Sequence, residues 1–201
     1  MNRSTPSRPL AALSLLAVLG LTATAGCSAA TEPPPEPAPR STAPASATPA
    51  PTDAAWLQLM TPMNEKAVAL LTLAADRATA PRLRAFATRL LDGQEAELGR
   101  LRTLLARMGL PDTDVHAGHD MPGMVTERDL EAAEAAEGAA FDRLFLTQIR
   151  DHLRHSAQVS RSELTAGARA DAKRLAAALV TAREAALTEL EGLPEAARAL
   201  G

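Results

Sequence analysis

From Asp53 onward the chain carries the same pattern twice. Asp53, Trp56, Leu57, Met60 and Met63 are matched 89 residues later by Asp142, Phe145, Leu146, Ile149 and His152. Ala87, Leu90, Glu95 and Leu98 are matched at the same offset by Ala176, Leu179, Glu184 and Leu187. One offset shared by two successive segments marks a duplicated unit. Within each segment apolar residues recur three and four apart, on one stripe of a helix, and no Val/Ile run alternates as a half-buried strand would. The unit is therefore a helical hairpin, and two hairpins predict an all-α, four-helix bundle.

The first helix is expected to begin at the cap Asp53 and end near Asp76, with Pro62 kinking it one turn back by removing a backbone bond. The second opens on Pro81, suited to a first turn, and stops at Gly109. A loop over 110–125 follows, then a short helix capped by Thr126 and Asp129 and running to about Glu137. The third long helix covers about 139–165 and the fourth about 168–191, before Gly192 and Pro194. The folded domain is thus 53–192, with 193–201 as a C-terminal tail.

The residues before the bundle are of another kind. Arg3 and Arg8 precede an apolar run from Leu10 to Leu21 and small residues up to Gly26. That is the outline of a signal peptide over 1–26, and about twelve apolar residues are too few to span a bilayer. Thr24-Ala25-Gly26-Cys27 resembles a lipobox, with Thr24 where Leu is usual; the cysteine would become the lipidated first residue of the mature chain. The alternative is an ordinary secretory signal followed by an incidental cysteine. Residues 28–52 hold eight of the fifteen prolines among Ala, Ser and Thr. Such a stretch cannot bury a core and serves as a spacer from Cys27, up to roughly 80 Å long when extended.

Composition excludes several chemistries. Cys27 is the only cysteine, so the bundle has no disulfide, thiolate zinc site or cysteine nucleophile. Without residues 1–26 the chain keeps 19 basic against 24 acidic side chains, and aromatics are 2% of the whole. Nucleic acid is not a partner for such a surface. No Glu-x-x-His pair, hydrolytic triad or phosphate loop is present, so catalysis has no carrier.

What remains is a ligand-rich loop and an interior histidine. His116-Ala117-Gly118-His119-Asp120-Met121-Pro122-Gly123-Met124 gathers two imidazoles and two thioethers, a donor set that suits copper better than magnesium or calcium. Met124 can equally be a plug in the bundle end behind a Pro-Gly turn. His152 lies on the stripe of Phe141, Phe145 and Ile149, with His155 one turn on. Glu97 shares the stripe of Leu90 and Leu101. His152 is either an interior metal ligand or a core histidine hydrogen-bonded to Glu97 or Gln94, and it is the partner that a buried Glu97 requires. Met60, Met63 and Met108 read as core filler.

Phe141-Asp142-Arg143-Leu144-Phe145-Leu146, Met121-Pro122-Gly123-Met124 and Gln94-Glu95-Ala96-Glu97-Leu98 resemble the bacterial family called domain of unknown function 305 over roughly 53–192. The resemblance implies a ferritin-like fold, export, and in some members copper binding. It also implies a His-His pair after a Met in each first helix and a Gln-x-x-Glu in each second helix. Here Met63 and Asn64 stand at the first pair and His152 and Leu153 at the second, while Arg183 and Ala186 replace the second Gln and Glu. The expected function is an exported, membrane-anchored lipoprotein whose bundle handles copper through His116, His119, Met121 and Met124, with His152 and Glu97 as interior candidates. The rival is a metal-free bundle acting as a structural or protein-interaction module. If Cys27 is the lipid attachment site, Cys27→Ser shifts the chain from the membrane fraction to the soluble fraction and abolishes incorporation of labelled palmitate.

Overall fold

The computed structural model describes residues 50–200; Cys27, the signal peptide and most of the spacer lie outside them. Six helices occur in chain order: α1 Pro51–Arg77, α2 Pro81–Arg107, α3 Glu127–Ala135, α4 Gly138–Ala166, α5 Ala170–Glu191 and α6 Pro194–Leu200. Helices α1 and α2 form one hairpin and α4 and α5 the second, with α1 against α4 and only light contact between α2 and α5. No described helix is long and apolar enough to cross a membrane.

The start of α1 differs from expectation. Pro51 opens the helix two residues early, as proline can where no N–H is needed. Asp53 consequently falls inside the first turn instead of capping it. Its buried carboxylate turns away from its own helix and accepts from the backbone N–H groups of Ala168 (3.1 Å) and Arg169 (3.0 Å), just before α5. The matched Asp142 does the same for the other hairpin, accepting from Thr79 N–H (3.1 Å) and from the Thr79 hydroxyl before α2. Thr79 and Ala168 are themselves 89 residues apart, so each hairpin's first helix caps the other's second. These crossed bonds satisfy backbone N–H groups in the turns that lead into the two second helices, Arg169 being the N-cap residue of α5.

Pro62 lies inside α1, as expected, and the helix continues through it to Arg77 with Pro62 buried. Helix α3 is held by the expected capping box, Thr126 accepting from Asp129 N–H while Asp129 accepts from Thr126 N–H. At its other end the Arg77 guanidinium donates to the carbonyls of Glu134 (3.1 Å) and Ala136 (2.6 Å) and lies 5.0 Å from the Phe141 ring centre. Residues 194–200, expected as tail, form a short helix against α4 with Ala196 buried.

The core is in two halves. One holds Leu70, Leu71, Phe86, Phe141, Phe145, Ile149 and Leu190. The other holds Trp56, Met60, Met63, Leu101, Leu104, Met108, Met124 and Leu179. Met60, Met63 and Met108 are therefore core filler, as their spacing implied. Asp142→Ala should lower stability by about 1–2 kcal/mol, the usual cost of losing a helix-start acceptor, read as an earlier urea midpoint by circular dichroism.

Candidate functional site

Between the two apolar halves every long helix turns a polar side chain inward. Asn64 comes from α1, Gln94 and Glu97 from α2, His152 and Ser156 from α4, and Arg183 from α5, all buried. Asn64, Gln94, Glu97, Ser156 and Arg183 each lie along their helix between the residues of one core cluster and those of the other, and His152 lies one turn before Ser156.

Arg183 sits at the centre of this belt with none of its surface exposed. Its Nη1 pairs with Glu97 Oε2 at 2.7 Å, its Nη2 donates to Asn64 Oδ1 at 3.0 Å, and its Nε donates to Ser156 Oγ at 3.1 Å. Asn64 passes the network on by donating to the backbone carbonyl of Gln94 (2.8 Å). A guanidinium is always charged and its fork of donors fits several acceptors at once, so it takes the carboxylate that an imidazole would share less strongly. The expectation that His152 partners Glu97 is thereby corrected: the partner is Arg183.

His152 makes a different bond. Its Nδ1 lies 3.2 Å from the Gly123 carbonyl. A carbonyl only accepts, so the proton is on Nδ1, and Nε2 carries a buried lone pair without a hydrogen-bond partner. Burial first, then the charge of Arg183, pushes the His152 pKa down to about 3, against the Gly123 bond that raises it. The neighbouring His155 is bound within its own helix, Nδ1 to the Asp151 carbonyl at 2.9 Å, and does not form a clip with His152. Gly123 has φ +76°, and a Cβ there would come within 2.5 Å of the His155 Cβ. Only glycine lets the loop lie this close to α4.

The loop itself forms a hollow of about 300 Å³. His116, His119, Asp114, Asp120 and Met124 line it, together with Lys66, Glu127 and Arg128. Two turns shape it: His116 N–H donates to Asp114 Oδ1 and His119 N–H to the His116 carbonyl, both at 2.9 Å. Met124 is buried, at once part of the hollow's wall and of the core half with Met60 and Met63. Met121 is half-buried against that same core half. Of the six candidate ligands, then, His116, His119 and Met124 share one hollow, Met121 lies beside it, and His152 and Glu97 belong to the interior belt. Asn64 and Arg183 were placed at the family's interior ligand positions by the resemblance, but their pairing and the part of Ser156 were not anticipated; Arg183 also falls in the apolar register of Ala172, Ala176, Leu179, Ala186 and Leu190, a signal that it faces inward.

Neither region holds a ready metal cage. Among the described residues no group of three or more His, Cys, Asp or Glu side chains is placed to hold an ion. In the belt the single carboxylate is already neutralised by a guanidinium, and the donors present do not fit a metal. The lining of the hollow includes two histidines and a methionine, residue types whose imidazoles and thioether suit copper.

This architecture defines a small all-helical domain built from two crossed hairpins around a polar belt. The chain belongs to the DUF305 family, a domain of unknown function, whose model matches residues 53–193. Among solved structures the fold is similar to a DUF305 fragment from Deinococcus radiodurans, with a TM-score of 0.63 and 20% identity over 72% of this chain and 95% of that one. It is similar to a DUF305 protein from Streptomyces coelicolor, with a TM-score of 0.64 and 21% identity over 73% and 94% of the two chains. It is also similar to CopM in its Cu(II)-bound form, with a TM-score of 0.60 and 23% identity over 69% and 93%. No curated protein matches the chain.

Two buried groups give stability a pH signature. Glu163, beside Asp53, is pushed up to about 7 by burial, then by its hydrogen bond to and repulsion from the Asp53 carboxylate, with Lys173 opposing. It binds more protons folded than unfolded, so its contribution is full below about pH 4.5 and is lost as pH rises through 7. His152 has the opposite sign: neutral when folded and protonated when unfolded, it lowers stability at acid pH, and that cost disappears as pH rises from about 3 to 6.5. The two slopes oppose each other between about pH 4.5 and 6.5. Glu163→Gln keeps a hydrogen-bonding group but removes one slope, so its urea midpoint should climb across this window relative to wild type; parallel profiles would refute the assignment.

Proposed function

We propose that this chain is an exported lipoprotein that captures or buffers copper in the hollow of the 110–125 loop, held at a membrane surface by Cys27 and the spacer that follows it. The observation that carries the reading is that His116, His119 and Met124 all line one hollow. Cu(I) accepts few ligands and favours thioether and imidazole, so two imidazoles with Met124 suffice where a hard cation would need six or more oxygens. Met121 is near enough in sequence to join them, and the hollow is lined by three acids, Asp114, Asp120 and Glu127, against two bases, Lys66 and Arg128. The likeness of the fold to CopM, known in Cu(I)-bound and Cu(II)-bound forms, supports the choice of metal.

His152 has a supporting role in this reading. By fixing the Gly123 carbonyl it anchors the C-terminal limb of the loop to α4, next to Met124. Ligand binding needs such a support because a donor held loosely loses affinity to the entropy of ordering it. The rival, a metal-free bundle presenting a surface to another protein, has the interior belt in its favour: the place where facing helices of such a bundle would hold an ion is taken by Arg183.

Titration of the full chain in detergent with Cu(I), against a chromogenic chelator, separates the two. Wild type should compete at micromolar chelator, and His116→Ala with His119→Ala should weaken binding about tenfold or more. Absence of competition by wild type removes the copper reading and leaves the rival.

A further inference from the structure

We infer that Arg183 is a resident cation that closes the bundle interior to metal ions, so that the domain's metal chemistry is confined to its loop. The 89-residue repeat sets Arg183 opposite Gln94 and Ala186 opposite Glu97, so the second hairpin presents a cation where the first presents an amide. The guanidinium has no exposed surface and takes the only carboxylate in the belt, Glu97, at 2.7 Å. It also holds Asn64 and Ser156 at 3.0 and 3.1 Å. Each of these oxygens would otherwise be free to face an ion.

Three physical effects act together. The guanidinium fills the volume in which donors from four helices converge. It keeps a permanent positive charge there, since arginine does not lose its proton in proteins. It also cancels the negative charge of Glu97, without which a buried ion would lack the compensation that burial demands. The Nε2 lone pair of His152 and the amide of Gln94 remain without hydrogen-bond partners. They are latent donors, and Arg183 is what keeps them from being used.

The inference deepens the copper reading but does not require it. Its test starts from the full chain carrying His116→Ala and His119→Ala, which disables the hollow and leaves the belt intact. This background should bind Cu(I) about tenfold or more weakly than wild type and should show none of the visible absorption of bound Co(II). Stoichiometric binding by this background that is lost on adding His152→Ala would overturn the inference. Arg183→Gln is then added, alone and with Ala186→Glu, to copy the Gln94 and Glu97 pair of the first hairpin onto the second. Metal affinity should rise about tenfold or more over the background. If a variant is unfolded without metal, recovery of helical circular dichroism on adding Co(II) is the supporting result. Folded variants with no gain, or unfolded ones with no recovery, would overturn it. Should wild type bind no copper at all, the copper reading fails on its own, because the comparison here is between Arg183→Gln and its immediate background.

Discussion

A guanidinium buried in a helical bundle makes demands on everything around it. Moving such a charge out of water costs several kcal/mol, and removing its counter-charge from a buried pair typically costs about 3–5 kcal/mol. Arg183 therefore obliges α2 to bring Glu97, α1 to bring Asn64 and α4 to bring Ser156 to one height. A bundle whose helices met only through Leu and Ala could slide by a turn at little cost. With one four-sided polar contact in its middle, it cannot, because any slide leaves a charge or an amide without its partner. The belt divides the core into two apolar halves and fixes their register, at the expense of whatever stability an all-apolar interior would have added.

The crossed caps act at the hairpin ends as the belt acts in the middle. Asp53 and Asp142 each leave their own helix unsupported and reach the start of a helix in the other hairpin. A carboxylate beside exposed N–H groups at a helix start is favoured by hydrogen bonding and by the helix dipole together. Burial pushes the Asp53 carboxyl up, yet the N–H groups of Arg169 and Ala168 and the Glu163 carboxyl outweigh it and hold its pKa below the usual value. The duplicated sequence is thus expressed as a pseudo-symmetric exchange, in which neither hairpin completes its own second helix.

The loop between the hairpins connects this framework to the proposed chemistry. It runs from the end of α2 to α3, is pinned at Gly123 by His152, and turns Met124 into the core half that already contains Met60 and Met63. The C-terminal limb of the loop is therefore held in place while His116 is partly accessible and His119 is exposed. A soft-metal site of this kind asks for few donors and tolerates some movement, which suits a surface loop better than the crowded interior.

Much of this was legible in the residues. The 3.6-residue spacing of Leu, Phe and Ala, the punctuation by Pro81, Gly109, Gly167 and Gly192, and the capping pair Thr126 and Asp129 were enough for the helices, because these are local signals, and the constant offset between halves was enough for their pairing into hairpins. They were enough also for the inward placement of Glu97 and His152 and for the ligand-rich composition of the loop. Partner choice was not local. Glu97 could be read as facing His152 because both lie on inward stripes, but which of several inward groups meets a carboxylate depends on helix height and on the length of side chains from elements far apart in sequence. Arg183 reaches Glu97 across 86 positions and Asn64 across 119. Asp53 looked like a cap for its own helix and serves another 115 residues away. The sequence by itself determined an all-helical duplicated bundle with its candidate donors; only the tertiary structure decided that the interior cation is an arginine, since a buried charge is settled by whichever opposite charge the packing brings within reach.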